Sequence, residues 1–185
     1  MIPEIGHFAL ALALALALVQ SLVPIIGAAH GNLLWMRSAR ALSIGQVIFA
    51  SIAFGALMWA FIASDFTVRN VAENSHSLKP LLYKIAGTWG SHEGSLLLWV
   101  LILTVFGAGV SLFGRNIPEA TKARVLSVQA WISVGFFSFL LLTSNPFERL
   151  FPPPADGNDL NPLLQDVGLA LHPPLLYFGY VGFSI

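Results

Sequence analysis

The sequence contains no cysteine. That excludes a disulfide framework, thiolate metal sites and covalent attachment of a haem to this chain. Charge is also scarce. Only 10% of residues are Asp, Glu, Lys or Arg, against roughly 25% in an ordinary soluble domain. Nine basic residues meet nine acidic ones, for a net charge of zero. Without a basic excess to neutralise phosphates, nucleic acid is excluded as a partner. What fills the chain instead is apolar: 56% of its 185 residues are hydrophobic, and mean hydropathy is +0.77. The lipid bilayer is its solvent.

A helix crossing the hydrocarbon core needs about 20 apolar residues. Four runs qualify, at residues 8–29, 41–63, 95–113 and 125–143, and none contains an ionisable side chain. Within the first, Ala9 to Leu18 alternate Ala with Leu. Alternation suggests a strand, but Ala is no polar partner and both residues favour helix. Pro24 is expected to kink that helix near its end. The first run does not read as a secretory signal, because Met1 to His7 contain Glu4 and no Lys or Arg.

A fifth apolar run opens near Gly168 and contains His172-Pro173-Pro174. Proline suits a first helical turn, so a helix is expected to start there and form an incomplete span over 174–185. The fold class is therefore all-α, a polytopic transmembrane bundle with four complete spans and a truncated fifth. Residues 1–185 read as the N-terminal membrane part of a longer polytopic protein.

Loop charge orients the spans. His30 to Arg40 carries Arg37 and Arg40, and Gly114 to Arg124 carries Arg115, Lys122 and Arg124. The alternate side holds the longer loops 64–94 and 144–173, with fewer cations for their length. The positive-inside rule places the N-terminus and the long loops outside. In a bacterium this is a multi-pass protein of the inner membrane, with its functional loops facing the periplasm. Function should sit on those loops, which are long enough to build a surface.

The first outer loop enters the third span as Trp89-Gly90-Ser91-His92-Glu93-Gly94-Ser95-Leu96-Leu97-Leu98-Trp99. One reading makes Trp89 an interfacial belt residue and Trp99 a packing residue. Another lets the glycines admit a flat ligand, with Trp89 or Trp99 stacking on it and His92 nearby. The second loop carries Asn145-Pro146-Phe147, Pro152-Pro153-Pro154 and a turn-rich stretch from Asp156 to Asp166. Such density of Pro and Asx residues specifies a rigid shape. A calcium loop starting at Asp156 fails, because its twelfth position is Val167 and not Glu.

His172 precedes two prolines, which bias it toward extended backbone at a helix mouth. There its imidazole can face a ligand, and neutral imidazole is an axial ligand of haem iron. The plainer reading is an interfacial histidine bonded to a backbone carbonyl. His7, His30 and His76 carry no role by context. Gln129 and the scattered Ser and Thr residues read as groups that pack helices, and the uncharged spans argue against an ion path.

Taken together, the segments at Trp89–Trp99, Asn145–Phe147, Asp156–Asp166 and His172–Ser184 resemble the CcmF family of haem-handling cytochrome c maturation proteins. The resemblance covers the chain from the first span onward. It implies a component of a haem lyase that takes haem b, as a transient substrate, from a periplasmic haem chaperone. That component supports covalent attachment of haem to apocytochrome c, alongside other maturation subunits. His172 matches the first of two outer histidines that ligate iron, and Trp89 and Trp99 match an earlier outer motif. The remaining ligands would lie beyond residue 185, so this segment alone is expected to bind haem weakly and to lack activity. The alternatives are a transmembrane transporter of haem or another solute, and a non-catalytic assembly scaffold.

Overall fold

The computed structural model describes residues 1–158 and 166–183. Among them the fold is helical throughout: α1 (Ile2–His30), α2 (Leu33–Ile62), α3 (Arg69–Asn74), α4 (Leu81–Gly90), α5 (His92–Phe113), α6 (Glu119–Leu142) and α7 (Val167–Gly182). The described residues contain no named strand, only an isolated antiparallel bridge between Val68 and Arg149.

Four helices, α1, α2, α5 and α6, are long and apolar enough to cross a membrane. Each outruns its apolar stretch, because a helix continues until a cap stops it. At the corner between α1 and α2, Gly31 adopts φ 70° and Asn32 accepts hydrogen bonds from the backbone of Leu34 and Trp35. Helix α1 runs on through Pro24 to His30.

The Ala–Leu alternation resolves as a helical stripe. Gly6, Ala9, Ala13, Ala17, Gln20, Pro24 and Gly27 recur every three or four residues and are buried. Their counterparts on α2 include Ala39, Ser43, Gln46, Ala50 and Ala53. Small residues let the two backbones approach, which is how helices associate where lipid offers no hydrophobic drive. Many large apolar side chains face outward: Leu18, Leu22, Ile48, Ile52 and Trp59 are all exposed. Helix α1 packs on α2 and α6, α2 on α5, and α5 on both α6 and α7.

A polar cluster ties the four long helices together. The Gln20 side-chain oxygen accepts from Gln46 Nε2 at 2.8 Å and from Ser43 Oγ at 3.2 Å, and its amide donates to the Leu126 carbonyl at 3.0 Å. Gln129 Nε2 donates to the Leu103 carbonyl at 2.5 Å. The side chain fits there because residue 107 is glycine, where any Cβ would strike the Gln129 amide. Gln129 and its polar neighbours thus pack helices.

At the end of the bundle that carries the N-terminus, the two long loops form one layer. Arg69 N donates to the Glu148 carbonyl at 2.8 Å, Leu150 N to Thr67 O at 2.9 Å and Asn158 N to Ala72 O at 2.8 Å. The stretch 64–94 is not an open loop: it folds into α3 and α4.

Helix α7 corrects two expectations. It starts at Val167 and not near Pro174, so Pro173 and Pro174 lie inside it. His172 is consequently helical rather than extended. The start is set by Asp166, whose side chain accepts from Leu169 N at 3.1 Å, and an N-cap bond of this kind outweighs the bias that proline places on its predecessor. Residues 159–165, which carry much of the Asp156–Asp166 motif, and the last two residues lie outside the described residues.

Candidate functional site

Helix α4 brings Trp89 to the face of α7, and the corner between α4 and α5 fixes its height. Ser91 caps α5, accepting from Gly94 N at 3.0 Å. Gly94 lies beneath the Thr88 carbonyl so closely that a Cβ there would overlap that backbone oxygen. Position 94 therefore requires glycine for close approach.

From this corner the half-buried Trp89 donates its Nε1–H to the Ala170 carbonyl at 2.8 Å. That carbonyl is open for a covalent reason. In a helix it would accept from the N–H of residue 174, but residue 174 is proline and has none. A buried carbonyl without a partner is costly, the more so in an apolar surround, and the indole supplies the missing donor. About two turns further, Tyr177 of α7 hydrogen-bonds Ser95 of α5. Among the described residues these two polar contacts hold α7 against the rest of the bundle.

Ala170 is buried against that support and His172 is exposed. Two residues along a helix are turned by about 200°, so His172 points away from the Trp89 contact. The imidazole has no hydrogen-bond partner among the described residues. Trp99 lies in the second turn of α5, half-buried, and stacks on Phe136 of α6 with centroids 4.2 Å apart and an interplanar angle of 27°. Among the described residues, ring contacts join Trp99 to Phe136, His92 to Phe139 and Phe106 to Phe178, and none joins Trp89, Trp99 and His172 to one another.

Other polar residues at this end secure the layer. Arg149 pairs with Glu4 on α1 (Nε to Oε1, 3.0 Å) and with Asp65 beyond α2 (3.4 Å), and also bonds Thr67. Asp156 accepts from Ser77 N at 2.9 Å, Ser77 Oγ at 2.5 Å and Gly157 N at 2.8 Å, with His76 at 3.5 Å. The Ser77 bonds, then that of Gly157 and the nearby His76, hold the Asp156 carboxyl at about 2, below its usual range. Its lone pairs are thereby committed to joining the two loops. Arg69 is held further toward its charged form by Glu73 and Glu148. His92 Nδ1 meets Ser144 Oγ at 3.0 Å, and His7 Nδ1 meets Asn145 Nδ2 at 3.1 Å. Sequence spacing carried no hint of these long-range pairs, since their partners come from loops 52 and 138 positions away.

The cytochrome C assembly protein family matches residues 89–185, from Trp89 through the end of α7. The chain belongs to that family. Across its whole length it is 58% identical to the cytochrome c-type biogenesis protein CycK of Rhizobium meliloti. It is 59% identical to the cytochrome c-type biogenesis protein CcmF of Pseudomonas aeruginosa and 50% identical to that of Escherichia coli. The solved structure of a cytochrome c haem lyase CcmF superposes on the entire chain with a TM-score of 0.87 at 30% identity. The chain spans 27–29% of the length of these proteins. Membership in the cytochrome c assembly family accounts for the motifs at Trp89–Trp99 and His172–Ser184, and it places the chain in cytochrome c biogenesis.

Proposed function

We propose that this chain forms part of a cytochrome c haem lyase, and that its N-terminal end faces the bacterial periplasm. In this reading the protein takes haem from a periplasmic chaperone and supports its covalent attachment to apocytochrome c, with other maturation subunits. The observation that carries the proposal is His172. Its imidazole is exposed and unpartnered among the described residues, on a helix that Trp89 and Ser95 hold at a set position. An imidazole so presented would suit haem iron as a ligand.

The residues fit haem as a half-site. His172 would hold the iron from one side, while the second ligand and the ring platform would come from the rest of the protein. Haem supplies the vinyl groups to which apocytochrome thiols add. Trp89 acts through α7 rather than on the porphyrin, and Trp99 supports α5 and α6 through Phe136. The long loops, zipped into one layer, form the surface on which chaperone and apocytochrome would dock.

The test uses the full-length protein in cells that lack their own copy. His172→Ala should remove most of the haem absorption of the purified protein and abolish c-type cytochrome formation. An unchanged spectrum with undiminished maturation would remove His172 from the iron. Retained haem binding with lost maturation would instead favour the scaffold reading.

A further inference from the structure

The opposite end of the bundle carries a cavity of about 500 Å³ at the start of α2, the end of α5 and the start of α6. This lies within the roughly 300–1,000 Å³ of small-molecule sites. Its polar wall is basic: Arg37, Arg40, Arg115 and Lys122 line it with a single acid, Glu119. Lys122 spends part of its charge on Glu119 at 3.0 Å. The three guanidiniums have no carboxylate partner among the described residues.

Local stability does not explain this arrangement. Arg37 and Arg40 sit in the first turns of α2, and Lys122 in the first turn of α6, where helix dipoles already present positive charge. Membrane insertion accounts for cations on one side of the bilayer. It does not account for four of them converging on one cavity. Their convergence there, with two helix N-termini, calls for an anion that all of them share.

The setting identifies the anion. The cavity floor is apolar, formed in part by the buried side chains of Met36 and Leu126. Leu34, Trp35 and Phe113 are exposed beside it, at 78%, 43% and 84%. A tryptophan such as Trp35 marks the boundary between hydrocarbon and headgroups. A basic pocket between membrane helices at that depth suits an anionic lipid headgroup, and planar guanidiniums bind phosphate oxygens two at a time.

We infer that this cavity is a binding site for an anionic phospholipid, with the phosphodiester held by Arg37, Arg40 and Arg115 and the glycerol region lying on the apolar floor. The site is independent of haem handling and lies at the other end of the helices.

The full-length protein in mild detergent is titrated with a fluorescent phosphatidylglycerol and with phosphatidylcholine of the same chains, and inorganic phosphate serves as competitor. Phosphatidylglycerol should bind at least about tenfold more tightly than phosphatidylcholine. Neutralising Arg37→Gln, Arg40→Gln and Arg115→Gln should weaken it about fivefold per charge, and on the order of a hundredfold together. Arg124→Gln, at the same end but outside the cavity, should change nothing, and the triple Lys variant should stay within a few fold. Should the triple Gln variant fail to fold, Arg115→Gln alone, in an exposed turn, provides the reading. Equal binding of the two lipids, or undiminished binding by the Gln variants, overturns the site. Displacement by inorganic phosphate at comparable concentration assigns the cavity to a soluble anion and overturns the lipid.

Discussion

Helices α1 and α7 both run through proline, and in each a carbonyl that proline leaves open is taken by another helix. In α1, Pro24 frees the Gln20 carbonyl, and Ser127 of α6 donates to it at 3.0 Å. In α7, Pro174 frees the Ala170 carbonyl, and Trp89 of α4 donates at 2.8 Å. The repair is the same and the surroundings differ. Around Pro24 the stretch is buried between α2 and α6, and Gln20 and Trp131 add further bonds, the latter to the Ser21 carbonyl at 2.9 Å. Around Pro174, Leu175 and Phe178 are exposed, and among the described residues Trp89 and Ser95 reach across with polar contacts. At Pro24 the added donor is one among several in a buried seam; at Pro174 it anchors a helix whose flanking side chains are exposed.

That contrast can be broken most forcefully at the α4–α5 corner. Gly94→Ala drives a Cβ into the Thr88 carbonyl, and overpacking of this kind typically costs about 1–3 kcal/mol. Because the corner sets the height of Trp89, amide exchange in α7 should accelerate while that of α1 stays unchanged. Uniform acceleration in both helices would show that the two are not independently held.

A smaller effect sharpens the comparison directly. Trp89→Phe keeps an aromatic side chain and deletes the donor, and losing that hydrogen bond costs about 1 kcal/mol, which amounts to roughly fivefold faster exchange in α7. In a Pro174→Ala background the new N–H satisfies the Ala170 carbonyl, so the same Trp89→Phe change should cost little. The double-mutant cycle therefore gives a coupling near the full single-mutant value. Ser127→Ala, the matching change at Pro24, should cost about 0.6 kcal/mol, the average for hydrogen bonds between membrane helices. Equal costs at Trp89 and Ser127, or no coupling between Trp89 and Pro174, would end the distinction.

The mildest prediction concerns acid. Hydrogen bonds from Ser77 hold the Asp156 carboxyl at about 2 in the folded protein, below the 3.8 of a free aspartate. Its bonds to Ser77 and Gly157 therefore contribute fully above pH 4 and are lost as pH falls toward 2. Limited proteolysis between residues 150 and 158 should stay constant from pH 7 to pH 4 and rise only below that, while α1 and α7 remain protected. Asp156→Asn should show the raised cleavage already at neutral pH.

Much of the architecture was legible in composition and hydropathy. An uncharged run of about 20 residues can only be a spanning helix, since lipid provides no partner for open backbone groups. The four spans followed from that rule, and the family motifs carried cytochrome c biogenesis. The start of α7 was not legible, because Pro173 and Pro174 signal a helix beginning while Asp166 caps one seven residues earlier. The carbonyl that Pro174 frees is buried with Ala170 and needs a donor from elsewhere in the fold. Here the donor is Trp89, 81 positions away in the chain, and no local rule reaches that far.

The sequence by itself therefore determined the solvent, the number of long apolar spans and the side on which cations collect, because each depends on local composition alone. Tertiary structure decided which carbonyls find donors, why Gly94 and Gly107 must stay small, and that Arg37, Arg40 and Arg115 line one cavity. Those are properties of contact between segments remote in the chain, and they exist only once the helices have packed.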